Sequence, residues 1–306
     1  MNTFCFKAFQ AYGKPEHCSP ISETFLSWLI GFFEGDGCIT QWRGKGKRRI
    51  RISLDQKDPA LLYSIRSTLG FGVVRSYQRD NETYWSYIVE DQKNIRRWVY
   101  LLNGNLVLKA RKDQFSEMLQ TLNCNNPIEE EIVLQKNHPL PSLNDGWLSG
   151  FFEAECGFDG NFTRDFQNQK YADGSPRYAI KLRFYVTQKL MDPTILRYIG
   201  ELFELPKIRI YTLQTPRTPG PFFYYRLEVN TGAGHDSIIR YLQDFPIRGK
   251  KRHSFQRFVL LRRRQQTRGS RFETPRMAKR TARLINHFVH SREQKETLGS
   301  FSNDEL

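Results

Sequence analysis

Residues 28–37 read Trp-Leu-Ile-Gly-Phe-Phe-Glu-Gly-Asp-Gly, and residues 147–157 read Trp-Leu-Ser-Gly-Phe-Phe-Glu-Ala-Glu-Cys-Gly. Laid over each other, the two stretches agree as W-L-x-G-F-F-E-small-acid. Each predicts a helix. Leu29, Phe32 and Phe33 fall at i, i+3 and i+4 and form one apolar stripe. Gly31 and Gly35 are also four apart, as are Gly150 and Ala154. Small residues at that spacing let two helix backbones approach closely. A glycine inside a helix costs roughly 1 kcal/mol against alanine, so a packing gain should offset it. The simplest gain is that the two copies pack against each other. Asp36 and Glu155 then stand side by side where both helices end.

That position is electrostatically poor for an acid. A helix C-terminus carries partial negative charge, and two carboxylates there repel it and each other. A cation is the natural remedy. Oxygen ligands of this kind suit Mg²⁺, which is usually held by one or two carboxylates plus substrate phosphates. The motif therefore points to metal-assisted phosphodiester chemistry. One copy alone could be an ordinary buried helix with a polar end; two copies with matched downstream segments argue against that.

The matching continues beyond the helices. Gln56-Lys57 followed by Asp58-Pro59 corresponds to Gln188-Lys189 followed by Asp192-Pro193. The spacing from acid to glutamine is 20 residues in the first copy and 33 in the second. The excess falls in the polar stretch 166–176, where insertion is structurally cheap. Lys109-Ala-Arg-Lys-Asp-Gln-Phe115 corresponds to Gly249-Lys-Lys-Arg-His-Ser-Phe255, which sets Arg111 against Lys251.

The paired segments resemble the two signature helices of a single-chain, two-repeat LAGLIDADG homing endonuclease. The nine motif positions map onto Leu29–Gly37 and Leu148–Cys156. Cys156 stands where the family has glycine, and the glycine that follows it, Gly157, implies a turn shifted by one residue. The resemblance covers residues 22–264 and implies an α+β fold. Two pseudo-symmetric repeats of order α-β-β-α-β-β-α-α each supply an antiparallel sheet as half of a DNA-binding saddle. The signature helices pack at the inter-repeat interface. The expected division is a lead-in (1–21), a first repeat (22–122), a linker (123–143), a second repeat (144–264) and a basic extension (265–306).

Composition agrees with a polyanionic partner. The chain has 306 residues, a formal charge of +15 and a hydrophobic fraction of 39%, enough to fill real cores. No run of 18 apolar residues exists, so no membrane span is expected. Five cysteines without a C-x-x-C read as reduced thiols in an intracellular compartment. The N-terminal stretch lacks a secretory apolar region and is poor in arginine, so it makes a weak transit peptide.

In chain order, residues 1–20 are expected to be a loose lead-in. Ser22 or Thr24 caps the first signature helix and Gly37 ends it. Strands follow at 38–43 and 48–56, with a charged hairpin loop Gly44–Arg49 between them. Asp58-Pro59 starts a helix that Gly70 and Gly72 stop. Strands at 72–78 and 83–90 are joined through Asp80-Asn81. Helices follow at 92–102 and 109–122. After the linker the programme restarts, with strands at 157–166, 177–188, 207–213 and 222–230. Helices are expected at 192–203, 234–243 and 250–264.

Ile50, Ile52 and Leu54 alternate with Arg49, Arg51 and Ser53, so one strand face is apolar and the other basic. Lys181, Arg183 and Tyr185 repeat the pattern. A β-ribbon fits the major groove, where alternate side chains reach base edges. The expected contact residues are Arg43, Lys45, Lys47, Arg48, Arg49, Arg51, Ser53, Arg75, Tyr77, Arg79, Lys181, Arg183, Tyr185, Arg209 and Tyr211. Which read bases and which hold phosphates is not visible in sequence. Residues 244–283 hold 14 Lys or Arg against two acids, and Arg262-Arg263-Arg264 clamps phosphates or forms a solvated tail.

The resemblance implies a chemistry. Asp36 and Glu155 each hold a divalent ion, helped by the carbonyls of Gly35 and Ala154. Mg²⁺ is the expected ion, Mn²⁺ is expected to substitute, and Ca²⁺ to support binding without cleavage. Gln56 and Gln188 orient water. Lys251 and Arg111 neutralise transition-state charge, Arg111 standing where the family usually has lysine. The implied product is a double-strand break with short 3′ overhangs in a long DNA target, which promotes intron mobility. The implied protein is a monomer with no obligate protein partner, encoded by an intron in a mitochondrion or chloroplast. The alternative is an RNA-binding intron maturase of the same fold, since a basic surface serves either polyanion.

Overall fold

In the computed structural model, residues 3–13, 15, 19–44, 47–125, 131–164, 174, 178–189, 193–205, 210–215, 222–269 and 281 are described. By contacts the chain divides into two compact units, Met1–Glu155 with Ile247–Gly249, and Cys156–Pro246 with Lys250–Leu306.

In the first unit, α1 (Lys7–Tyr12) precedes α2 (Glu23–Asp36), the first signature helix. Ser22 caps α2, its hydroxyl accepting the Phe25 N–H. The strands are β1 (Gly37–Gly44), β2 (Lys47–Gln56), β3 (Val73–Arg79) and β4 (Glu82–Val89), in the order β1-β2-β4-β3. Helix α3 (Pro59–Leu69) starts with Asp58 as N-cap and Pro59 in its first turn, and ends on Gly70 in the left-handed region. The turn between β3 and β4 holds Asp80 and Asn81 at φ 52° and 62°, the pair of positive values that a two-residue hairpin of matching twist needs. Helices α4 (Gln92–Leu102) and α5 (Lys109–Asn125) follow, and α6 (Trp147–Glu155) closes the unit.

The second unit repeats the plan with β5 (Cys156–Arg164), β6 (Tyr178–Lys189), α7 (Thr194–Leu202), β7 (Ile210–Thr215), β8 (Phe222–Val229), α8 (Gly232–Asp244) and α9 (Lys251–Arg268). Its sheet runs β5-β6-β8-β7, the same order as the first. The expected α-β-β-α-β-β-α-α succession is therefore present twice. The repeat reaches single hydrogen bonds. Asn125 Nδ2 donates to the Arg48 carbonyl at 2.5 Å, and Gln265 Nε2 donates to the Ile180 carbonyl at 3.1 Å. In both copies of the repeat an amide on the last helix caps a carbonyl on the stretch of the second strand that the fourth strand does not reach.

Each sheet buries one face and leaves the other outside. Ile50, Ile52, Leu54, Tyr87 and Val89 form the first inner face; Ile180, Leu182, Phe184, Val186, Leu227 and Val229 form the second. No described helix is long and apolar enough to cross a membrane.

Four details differ from the sequence expectations. Residues 3–13 are packed, not loose: Phe6 and Phe9 are buried, Cys5 exchanges hydrogen bonds with the Asn105 amide, and Arg97 donates to the Gly13 carbonyl. Gly44 pairs with Lys47, so most of the expected Gly44–Arg49 loop is strand. Helix α5 runs three residues past its expected end, to Asn125, and Asn123 and Asn103 pin the linker backbone at Ile132, Val133 and Gln135. The turn at Cys156 does not shift. Gly37 opens β1 opposite Leu54, and Cys156 opens β5 opposite Val186 in the same register. Gly157 has a separate cause: a Cβ there would lie 2.1 Å from the Tyr185 ring.

Candidate active site and nucleic-acid face

The glycines of the signature segments let α2 and α6 touch backbone to backbone. A Cβ on Gly31 would sit 2.0 Å from the Trp147 carbonyl oxygen, and one on Gly150 would sit 1.8 Å from that of Trp28. One turn further, a Cβ on Gly35 would meet the Ala154 Cβ at 2.2 Å and the Glu155 Cγ at 3.3 Å. Asp36 and Glu155 are thus brought to one place by the absence of side chains behind them. Both act on one guanidinium, that of Arg111.

Arg111 is the hub of this end of α2. Its Nε donates to the Glu34 carbonyl at 3.0 Å and its Nη2 to the Gly35 carbonyl at 3.2 Å, two carbonyls a helix C-terminus leaves without partners. Its Nη1 donates to Gln114 Oε1. Burial pulls its pKa down, opposed by the charges of Glu34, Cys38, Glu155 and Asp36. Gln56 Nε2 donates to Asp36 Oδ2 at 2.7 Å, which fixes the orientation of that carboxylate. Gln188 lies at the matching position of β6, its Oε1 buried without a partner. Lys251 is the first residue of α9.

Two residues of the site were not singled out in the sequence. Glu34, two positions before Asp36, is buried and accepts N–H groups from Val107, Leu108 and the Trp147 indole at 2.7–3.1 Å. Glu153 accepts the N–H groups of Arg248 and Gly249. Each acid therefore seats the chain just before the last long helix of its copy, where unpaired N–H groups favour an anion. The signal was present, because the glutamate is identical in both motifs.

Burial raises the Glu34 pKa from 4.5 to about 7, against the pull of its three N–H donors and Arg111. A carboxyl whose folded-state pKa stands above its unfolded value binds its proton more tightly in the folded protein. Its contribution to stability is full below about pH 4.5 and is lost as pH rises through about 7, by about 3 kcal/mol in all. Glu34→Gln removes that titration. It also turns an amide N–H toward the Trp147 indole N–H, a cost of about 1–3 kcal/mol. Chemical denaturation from pH 4.5 to 8 should show the stability lead of the parent over Glu34→Gln shrinking as pH rises. A pH-independent difference would place the Glu34 pKa near its ordinary value.

The strand registers sort the expected contact residues. Arg49, Arg51, Arg75, Tyr77 and Arg79 share the outer face of the first sheet; Ser53 is on it too but buried. Arg43 and Arg48 pair with each other on the opposite parity. Lys181, Arg183, Tyr185 and Tyr211 share the outer face of the second sheet. Lys45 and Arg209 lie outside the described residues, and Lys47 is described in its backbone alone.

The sequence profile described as LAGLIDADG endonuclease matches residues 29–122 and 148–261, both copies of the repeat. The chain belongs to this family. Among LAGLIDADG relatives, "Probable intron-encoded endonuclease 4" of Neurospora crassa is 30% identical over 227 residues, which is 74% of this chain and 38% of that protein. "Probable intron-encoded endonuclease aI3" of Dictyostelium citrinum is 25% identical over 78% of this chain and 95% of its own. "Uncharacterized cox1 intron-2 37.2 kDa protein" of Schizosaccharomyces pombe is 24% identical over 57% of this chain and 49% of its own. The chain thus spans less than half the length of two of these three. The LAGLIDADG meganuclease I-AabMI, solved bound to uncleaved DNA, shares the fold at a TM-score of 0.64 and 20% identity, covering 87% of this chain and 99% of that one. I-SmaMI, solved with an uncleaved DNA target in the presence of calcium ions, does so at 0.58 and 15%, covering 85% and 97%.

Proposed function

We propose that this LAGLIDADG protein is a site-specific DNA endonuclease that cuts both strands of a long duplex target. The observation that carries the reading is the α2–α6 contact, which places Asp36 and Glu155 together beside Arg111. Nothing in core packing requires two acids at adjoining helix ends.

The residues suit a hard divalent cation. The donors at hand are carboxylate and carbonyl oxygens, and no described cluster of three or more His, Cys, Asp or Glu offers a self-sufficient cage. Such a donor set fits Mg²⁺, which takes one or two carboxylates and completes its shell with water and substrate phosphate. Asp36 and Glu155 would hold it, with the carbonyls of Gly35 and Ala154 beside them; the Gly35 oxygen already accepts one Arg111 N–H and keeps a second lone pair. Mn²⁺ should replace Mg²⁺, and Ca²⁺ should permit binding without cutting. Bound there, the ion would activate water and stabilise the leaving oxygen. Gln56 keeps Asp36 oriented, and Gln188 is its counterpart. Arg111 puts positive charge next to both acids, and Lys251 is the corresponding cation of the second copy.

The outer faces of the two sheets are the DNA-contact surfaces in this reading. Short 3′ overhangs, a monomeric enzyme, a role in intron mobility and an origin in an organelle genome complete it, the last two supported by the intron-encoded relatives. Cleavage sites selected from a randomised duplex library with Mg²⁺ test it directly; no cutting of any duplex would reject it. Binding should also weaken steeply with salt, because Lys and Arg contacts release counterions. Six phosphate contacts imply a loss of on the order of 10³-fold between ~50 and ~200 mM salt. A flat salt response would rule out both sheet faces as phosphate contacts.

A further inference from the structure

The arginines of the two outer faces are not held alike. Arg183, on the central strand β6, lies directly opposite Asp159 on β5. Its Nη2 donates to Asp159 Oδ2 at 2.6 Å and its Nη1 to Glu228 Oε1 on β8 at 3.1 Å. Both acids are nearly covered, with side-chain exposures of 13% and 14%, and Arg183 keeps 30%. A second arginine closes the cluster. Arg226 stacks 4.3 Å from the centre of the Tyr185 ring, and its Nη1 lies 3.9 Å from the same Glu228. Two positive and two negative charges therefore cancel in the middle of a face otherwise reserved for a polyanion.

The first sheet supplies the contrast. Arg51 occupies the equivalent place on β2, opposite Thr40 where β5 has Asp159. It meets one carboxylate, Glu90, and keeps 43% side-chain exposure over the Trp42 ring. One arginine is clamped by two acids, the other tethered by one at the surface.

A phosphate contact needs net positive charge and tolerates a flexible side chain; two carboxylates beside it would repel the backbone. A base contact needs a fixed direction instead. The guanidinium has five N–H donors, and two are used by Asp159 and Glu228, which leaves enough for a bidentate contact. The commonest specific contact of that kind is arginine to guanine O6 and N7 in the major groove. Resting on the DNA-binding reading above, we propose that Arg183 is a base reader for guanine, aimed by Asp159 and Glu228, and that these two acids are specificity-determining positioning residues that keep phosphates away from it.

The test is enrichment of bound duplexes from a randomised DNA library in Ca²⁺, for the parent chain and for Arg183→Lys, Arg183→Ala, Asp159→Asn, Glu228→Gln and Arg51→Lys. Arg183→Lys retains the charge but lacks the planar fork. It should flatten a guanine preference at one position roughly 10- to 100-fold while the salt slope stays as in the parent. Asp159→Asn and Glu228→Gln should weaken the same preference at the same position, and Arg51→Lys should leave it intact. Loss spread evenly over all sequences in Arg183→Ala, with a salt slope smaller by about one contact, would make Arg183 a phosphate clamp and overturn the proposal. So would an unchanged profile in all the Arg183, Asp159 and Glu228 variants, which would make the cluster a structural pin. A parent chain that enriches no sequence would overturn the DNA-binding reading itself, and is distinct from enrichment with an unaltered guanine position.

Discussion

Asp36→Asn and Glu155→Gln should each lose double-strand cutting by on the order of 10³-fold or more while still binding the duplex in Ca²⁺ nearly as the parent does. The proposed contact residues of the outer sheet faces lie on strands, whereas these acids terminate α2 and α6. Neither substitution should disturb folding. In Asp36→Asn the new side-chain carbonyl can still accept the Gln56 amide that now bonds Asp36 Oδ2, and removing a negative charge from a helix C-terminus is favourable there. Plasmid cleavage resolved into supercoiled, nicked and linear forms, with thermal melting alongside, reads both effects. Full linearisation by either variant would remove that carboxylate from the chemistry. Gln56→Ala should cost much less, because it frees the orientation of Asp36 without removing an acid.

Where a feature depended on local sterics or on period, the sequence displayed it. The glycine spacing of α2 and α6, the Asp58-Pro59 helix start and the Asp80-Asn81 turn all act within a few residues, so their consequences could be read directly. What needed a distant partner stayed hidden. Glu34 looked like part of an acidic helix end, but its role comes from Val107 and Leu108, more than 70 residues away. Residues 4–12 are rich in aromatics, but the stretch is too short to show a period, and its packing comes from α4, where Tyr100 meets the Tyr12 ring and Arg97 donates to the Gly13 carbonyl. Arg43 and Arg48 show how register decides function. Alternation along β2 already sets Arg48 against Arg49 and Arg51, but Arg43 joins that opposite parity only because Gly44 pairs with Lys47. A one-residue change in register flips a side chain to the other face, and charge composition cannot see it. Alternation along β6 marks Arg183 as a contact residue. That two acids hold it follows from cross-strand pairing with β5 and β8, which alternation does not specify.

The second large effect concerns the seam itself. Gly150→Ala should destabilise the protein by more than about 4 kcal/mol, or prevent its accumulation as a folded chain, since the new Cβ would stand 1.8 Å from a backbone oxygen that cannot rotate away. Gly35 offers a sharper measurement. Its Cβ would strike the Ala154 Cβ at 2.2 Å, and the next obstacle, the Glu155 Cγ at 3.3 Å, belongs to a flexible side chain. Gly35→Ala alone should therefore cost several kcal/mol, and Ala154→Gly alone up to about 1 kcal/mol through helix propensity. Together they exchange which helix carries the methyl group and should recover most of the loss. That is a coupling of about 2 kcal/mol in urea denaturation, within the range for residues in direct contact. Additive losses would mean that α2 and α6 do not meet at these positions. Cutting is the stricter readout of the same double variant. If stability returns while cleavage stays depressed, the methyl group has displaced Asp36 relative to Glu155, and the small residue one position before each acid then sets the spacing of the carboxylates as well as the packing of the helices.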